Sequence, residues 1–222
     1  MIKIENTHVD GFEAAIRGMR KPFKSEDQSD SYFEDGKFCI GPKDLKLACG
    51  LSNGSDSHSK FLRFLHVSCD TTSPLYWWKE MDQYKIGTVT DSESTMHTIQ
   101  KKEFTLDDFS HEHLLDDAAW VTWDGQDYSN SAIECLYDVV SMLNAYRNQY
   151  LETKEKIYWW QLIQLLPSSY NQCRTWDANY QVLKRIHFER KDHKLDEWHD
   201  FCRWIEELPY ARLLMHIEDG NG

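Results

Sequence analysis

The stretch Ser73-Pro74-Leu75-Tyr76-Trp77-Trp78-Lys79-Glu80-Met81-Asp82-Gln83-Tyr84-Lys85-Ile86-Gly87-Thr88 changes character at its first two residues. Upstream of it, Phe61 to Thr72 is rich in apolar and β-branched residues and reads as a strand. Ser73 is a good helix N-cap and Pro74 suits a first helical position, so a helix is expected to begin here. That helix would carry Leu75, Trp78, Met81 and Lys85 along one face, with Gly87 placed to stop it.

Outward from this strand-to-helix junction, helical periodicity dominates. Phe12, Ile16 and Met19 give Gly11 to Met19 an amphipathic pattern, and Leu45 to Leu51 reads as a second helix closed by the polar run Ser52 to Ser57. Ser25 to Gly36 reads as a loop, Thr88 to His97 as a compact polar segment, and Lys101 to Gly125 as an acidic surface excursion. Ser131 to Lys154 is a long helix with a stripe of Leu136, Val139, Val140, Leu143 and Tyr146. Ile157 to Leu166 follows, ended by Pro167. Asp177 to Arg190 and Leu195 to Leu208 read as two more helices, the last with Leu195, Trp198, Cys202 and Ile205 on its apolar face. Many helices and a minority of strand predict an α+β fold, and there is no internal repeat or low-complexity tract.

Composition narrows the function classes. The chain has 222 residues, which fits one large domain or a domain with extensions, and its 41% hydrophobic and 14% aromatic content can fill a core. No run of about 18 apolar residues occurs, so no membrane span is expected. Met1 to Asp10 lacks a basic region followed by an apolar run, which argues against a secretory signal. The 6 Cys are scattered without a CxxC pair, so the expectation is a reduced cytoplasmic setting. A formal net charge of -12 argues against broad nucleic-acid binding, but a small anionic ligand needs only a local cluster of cations.

Common signatures of chemistry are missing: there is no GxSxG, no phosphate loop ending in Gly-Lys-Ser/Thr, and no GxGxxG after a strand. His111-Glu112-His113 and the series His187, His193, His199 invite a metal reading, but their spacings match no zinc pattern, and no metal site is expected. Asp107 to Asp117 reads as a solvated surface, and the pairs Trp77-Trp78 and Trp159-Trp160 read as core or subunit-contact residues.

Three segments, in the right order, resemble the flavin-dependent thymidylate synthases. Ala15-Ile16-Arg17-Gly18-Met19-Arg20-Lys21-Pro22-Phe23 is similar to that family's N-terminal helix, which ends in Ala-Ala-Arg and an aromatic. Ser73 to Thr88 resembles the segment in which Ala-Pro opens a helix carrying a Gln and then Arg-His-Arg. Thr90-Asp91-Ser92-Glu93-Ser94-Thr95-Met96-His97 resembles its continuation, Asn-Glu and then Ser-x-Arg-Tyr. Asn179-Tyr180-Gln181-Val182-Leu183-Lys184-Arg185-Ile186-His187-Phe188-Glu189-Arg190 resembles the Asn-x-Arg-Ser-Leu helix that closes with Leu-Arg.

The resemblance implies one α+β domain over residues 1–222, helix-rich with a central antiparallel sheet and a variable acidic excursion at about 101–130. It implies a homotetramer whose active sites form between subunits, in a bacterial or phage-infected cell, with a phage-type member as one form. The implied reaction methylates dUMP to dTMP with methylenetetrahydrofolate, FAD carrying the hydride and NADPH supplying it. A related flavoenzyme on a different pyrimidine nucleotide, or a non-catalytic binding or structural descendant, is the alternative.

It also assigns residues. Arg190 matches the pyrimidine- and phosphate-facing Arg, the expected catalytic residue, and Asn179, Leu183, Ile186 and Arg190 share a helix face. The plain alternative is an Arg that snorkels from the core or pairs with Asp192 or Glu189. Ser94, Thr95, Glu80, Gln83 and Arg190 are the expected nucleotide contacts. His58, Arg63, Gln83, Tyr84, Lys85, Ile86, Asp91, Asn179, Gln181 and Arg185 are the expected flavin contacts. A helix cap is the alternative for Asn179, and a surface loop position for His58.

Departures from the family pattern fall on charge. Arg-His-Arg is Gln83-Tyr84-Lys85 here, the phosphate-binding Gln is Glu80, the Arg of Ser-x-Arg is Met96, an Arg before Leu-Pro is Ile163, and Asn-x-Arg is Asn179-x-Gln181. Each lost charge-assisted pair commonly costs about 2–5 kcal/mol of affinity. Lys60, Arg63, Lys79, Arg174, Lys184 and Arg185 are the cations available to compensate.

Overall fold

The computed structural model describes residues 2–117 and 119–217. In chain order, strand β1 (Lys3–Asp10) leads to helix α1 (Phe12–Arg20), the hairpin β2 (Tyr32–Glu34) and β3 (Lys37–Cys39), and helix α2 (Pro42–Ser52). Strand β4 (His66–Pro74) runs straight into α3 (Leu75–Met81), followed by β5 (Thr88–Ser92) and the one-turn α4 (Thr95–Thr98). A second hairpin, β6 (Ala119–Trp123) and β7 (Gln126–Asn130), precedes α5 (Ala132–Thr153) and α6 (Lys156–Leu165). Strand β8 (Asn171–Asn179) then feeds α7 (Tyr180–Arg190), α8 (Asp196–Glu207) and α9 (Ala211–Met215). The central antiparallel sheet has the order β1-β4-β8-β5.

The chain divides into two compact units. One comprises Thr72–Asp82 and Ser92–Arg174; the other comprises residues 2–71, 83–91 and 175–217 of those described. In the first, the core is a cluster of Ile99, Phe104, Phe109, Leu136, Val140, Leu143 and Leu162, drawn largely from α5, α6 and the loop at 99–109. Ser131 starts α5 with a capping box: its hydroxyl accepts from the Glu134 N–H and the Glu134 carboxylate accepts from the Ser131 N–H.

In the second unit, β4 alternates as a half-buried strand should. Val67, Cys69 and Thr71 are buried, while His66 and Ser68 point the other way. Trp176 on β8 donates its indole N–H to Thr71 Oγ1 at 2.9 Å and lies 5.5 Å from the Phe201 ring of α8. Leu183 and Ile186 of α7, and Ala15, Ile16 and Met19 of α1, are buried. A buried ion pair joins α1 to α2: Arg20 Nε donates to Asp44 Oδ1 at 2.5 Å, and the hydroxyls of Ser29 and Ser31 each donate to Asp44 Oδ2 at 2.6 Å. Burial alone would raise the Asp44 pKa, but the Ser29, Ser31 and Arg20 hydrogen bonds outweigh it and hold the carboxyl below its usual range.

Several local expectations are corrected. The strand expected over 61–72 begins only at His66, because Ser59–Phe64 coils as a short 3-10 turn. Ser73 is not an N-cap: it lies within β4 with its hydroxyl buried and without a hydrogen-bond partner among the described residues, and Pro74, the last residue of the strand, takes the capping position in extended conformation. The helix that follows stops at Met81, so Lys85 is not on its face, and Gly87 turns the chain at φ 80. The expected loop at 25–36 includes a strand of the β2–β3 hairpin, and the acidic excursion contains the β6–β7 hairpin, with residue 118 outside the described residues. Residues 177–179, read as helix, finish β8. Pairing in the middle of the sheet overrides their weak helical pattern.

Candidate functional site

Asn179 at the end of β8 and α7 as far as Phe188 form one wall of a cleft of about 560 Å3 in the second unit. Asn179 caps α7, its Oδ1 accepting from the Val182 N–H at 3.1 Å, so the capping alternative describes what the side chain does while the residue still lines the cleft. From there α7 presents Gln181, Lys184, Arg185 and Phe188 to the same space, the spacing of one helix face. Arg63 comes from the 3-10 turn before β4, and its Nε donates to Gln181 Oε1. Ile86 and Gly87 close the cleft beside Asn179. Gly87 is required here: a Cβ would lie 2.9 Å from Val182 Cγ2 and 3.2 Å from Asn179 Nδ2.

Of the ten expected flavin contacts, Arg63, Ile86, Asn179, Gln181 and Arg185 meet in this cleft. Tyr84 sits behind it, buried, with the Arg185 guanidinium 5.3 Å and the Arg190 guanidinium 5.5 Å from its ring. His58 is exposed and lines a neighbouring apolar cleft of about 600 Å3 whose wall also includes Arg63, Phe23 and Phe64. Gln83, Lys85 and Asp91 are exposed and line neither cleft.

The expected nucleotide contacts are spread further. Ser94, Thr95 and Glu80 belong to the first unit; Gln83 and Arg190 belong to the second. Thr95 Oγ1 accepts from Gln172 Nε2 at 3.2 Å, and Ser94 is exposed at the start of α4. Arg190 ends α7 with its guanidinium 4.7 Å from the Trp198 ring, and its Nε donates to Tyr84 Oη at 2.8 Å. The hydroxyl in turn donates to Glu189 Oε2 at 2.9 Å. Burial pushes the Tyr84 pKa up, Arg190 pulls it down, and the balance stays above the usual range for a phenol.

One of the charge departures has a structural account. Ile163 packs against the first unit's core cluster, so its position serves packing. Arg174, one of the compensating cations, is held on the Trp78 face at 4.3 Å and bonded to Asp82 at 2.8 Å and Gln172 at 3.0 Å. Lys184 instead lines the cleft, as does Lys60 the neighbouring one. Lys184, expected only as one of several compensating cations, lines the cleft, and so do Val182 and Phe188, which the sequence reading did not assign to the site. The i, i+3, i+4, i+7 spacing from Gln181 was the signal that finds Lys184 and Phe188.

The fold is that of the flavin-dependent thymidylate synthases. Thymidylate Synthase X (ThyX) from Helicobacter pylori, in crystal structures with FAD and dUMP, is similar to this chain at TM-scores of 0.66 and 0.65, with 17% and 18% sequence identity over 97% and 96% of this chain and 97% of each of those chains. The UMP/dUMP methylase PolB from Streptomyces cacaoi, bound with 5-Br dUMP, is similar at a TM-score of 0.65 and 12% identity, over 97% of this chain and 94% of that one. No protein-family model matches the sequence, and no curated protein matches it.

Proposed function

We propose that this chain is a flavoprotein that binds FAD and a pyrimidine nucleotide and methylates the base, with dUMP as the leading substrate. The observation that carries the reading is the meeting of Arg63, Ile86, Asn179, Gln181 and Arg185, assigned from separate motifs, on one cleft. The cleft's donor set suits FAD. Arg63, Lys184 and Arg185 offer positive charge for a diphosphate, Asn179 and Gln181 offer amides, and Ile86, Val182 and Phe188 offer apolar surface for a ring. Its volume is within the range of small-molecule sites.

FAD, when bound, supplies the redox chemistry of the reaction, with reduced nicotinamide and methylenetetrahydrofolate as co-substrates. The protein's part is placement. Gly87 lets the backbone come close to the ring-binding wall, and Gln181 is oriented by Arg63. In this reading Arg190 holds positive charge toward the pyrimidine or its phosphate, with Tyr84 and Trp198 fixing its direction. Ser94, Thr95, Glu80 and Gln83 serve the nucleotide, and His58, Tyr84, Lys85 and Asp91 serve the flavin, in a homotetramer whose copies share sites. The whole chain acts as one family-like domain.

A second pyrimidine nucleotide, UMP, is the alternative substrate. Glu80 and Met96 stand where the resemblance puts phosphate-binding Gln and Arg, so nucleotide selection is expected to differ.

Purified protein tests the proposal directly. A yellow protein, or one that turns yellow with added FAD and whose flavin spectrum shifts on dUMP addition, supports it. A response to UMP but not dUMP selects the alternative. A protein that takes up no flavin is the result expected of a non-catalytic descendant and overturns the enzyme reading.

A further inference from the structure

Gln181 stands where the resemblance has an arginine, so the cleft has lost a cation at that position. Gln181 is also occupied, because its side-chain oxygen accepts from Arg63. One helical turn further along α7, on the same face, Lys184 reaches the cleft. Its Nζ donates to the Ser52 carbonyl at 2.8 Å, at the C-terminal end of α2. An ammonium has three N–H donors, and this is the one hydrogen bond Lys184 makes among the described residues. The Ser52 carbonyl therefore fixes the ammonium in place and leaves two donors to serve a ligand. Burial lowers the Lys184 pKa, and Asp56 opposes that shift. An incoming anion would recover the lost solvation. Arg63 adds to the same demand: its Nε serves Gln181, and its terminal nitrogens have no hydrogen-bond partner among the described residues. Arg63, Lys184 and Arg185 line the cleft beside one carboxylate, Asp56, and of the three Arg185 is also paired with Glu189 at 3.9 Å.

From these positions we infer that Lys184 is the phosphate anchor of this cleft, supplying from one turn further on the charge that Gln181 does not carry. The ligand class is a phosphorylated ring compound whose ring lies toward Ile86 and Phe188. The inference rests on the flavin reading proposed above, in which the anchored group is the FAD diphosphate. Lys184 is a binding residue and takes no part in proton or hydride transfer.

The test is a set of flavin titrations on full-length protein, followed by quenching of flavin fluorescence. Wild type, Lys184→Met and Lys184→Arg are each titrated with FAD, FMN and riboflavin, and with inorganic pyrophosphate as competitor. Lys184→Met is expected to weaken FAD and FMN by about 30-fold or more, the usual loss for a charge-assisted contact. Riboflavin, which has no phosphate, should bind Lys184→Met as it binds wild type, and Lys184→Arg should keep FAD within a few-fold. Unchanged FAD affinity in Lys184→Met, or equal losses for riboflavin and FAD, overturns the anchor and leaves the flavin reading standing. Wild type that binds no flavin overturns the flavin reading. In that event, stabilisation by pyrophosphate of wild type but not Lys184→Met supports a phosphate anchor for another ligand, and stabilisation of neither overturns it. If Lys184→Met does not fold, Lys184→Gln takes its place.

Discussion

The phenolic oxygen of Tyr84 accepts a hydrogen bond from Arg190 Nε at 2.8 Å and donates one to Glu189 at 2.9 Å, joining the turn after α3 to the end of α7. Tyr84 lies in the middle of the Gln83-Tyr84-Lys85 triplet that stands where the resemblance has Arg-His-Arg. Removing the hydroxyl in Tyr84→Phe deprives both partners at once. The expected loss is about 1–2 kcal/mol of stability, read as a shift of the urea midpoint with an unchanged slope. Nucleotide affinity is expected to fall as well, because the direction of Arg190 is set through this oxygen.

High pH should act on the same network. The pKa of Tyr84 is raised, and burial likewise raises those of Tyr170 and Tyr180. A phenol whose folded pKa lies above its unfolded value contributes stability that is fully present below about pH 10 and is lost as pH rises through the folded pKa. Thermal melts between pH 8 and 11 should therefore fall at the alkaline end. The Tyr84→Phe protein should show a shallower fall, and an identical one would contradict this account.

Low pH acts elsewhere. The Asp44 pKa is held down, so its contribution is present above the unfolded carboxylate value near 4 and is lost as pH falls through the folded pKa. Asp44→Asn leaves the buried Arg20 guanidinium without its counter-charge, at an expected cost of about 3–5 kcal/mol. Denaturant curves at pH 7 and pH 4 measure both effects. A variant as stable as wild type at pH 7 would refute the role given to this pair.

Thiol accessibility separates the cysteines. Cys135 is exposed, whereas burial pushes the thiols of Cys69 and Cys202 up to about 12. Limited alkylation of native protein at pH 8, read by peptide mass spectrometry, should modify Cys135 first and leave Cys69 and Cys202 until the protein is unfolded.

Gly87→Ala places a methyl group against Val182 and Asn179 at a position with φ 80. We expect a loss of about 1–2 kcal/mol of stability and a weaker FAD complex, measured by melting temperature and by flavin titration. Wild-type FAD affinity in a folded Gly87→Ala protein would argue that Gly87 does not border the ring.

The helical part of this fold was legible because its signals are local. The stripe from Leu136 to Tyr146 and the face of Trp198, Cys202 and Ile205 mark α5 and α8 without reference to the rest of the chain. Strands were harder. Asp177 to Asn179 completes β8 because its neighbours are β4 and β5, a fact set by residues about 80 to 110 positions away. The β2–β3 hairpin is short, with Tyr32 and Phe33 exposed, so it has no buried periodicity to read.

The candidate site was half legible. Motif resemblance picked Arg63, Asn179 and Gln181, which meet in the cleft. It picked Gln83, Lys85 and Asp91 as well, which do not line it. Lys184 was one of six compensating cations legible in the sequence, but only the Ser52 carbonyl contact explains why its charge is held at the cleft.

The strand order has a consequence for how this protein is made. β8 lies between β4 and β5, yet it is the last strand to be synthesised. While the ribosome is still producing α5 and α6, β4 and β5 exist without the neighbour that joins them, and their inner edges are open. The sheet can close only after Asn179 has left the exit tunnel. Such late, long-range closure is slow, and a chain halted before that point would present unsatisfied strand edges to chaperones or to other nascent copies.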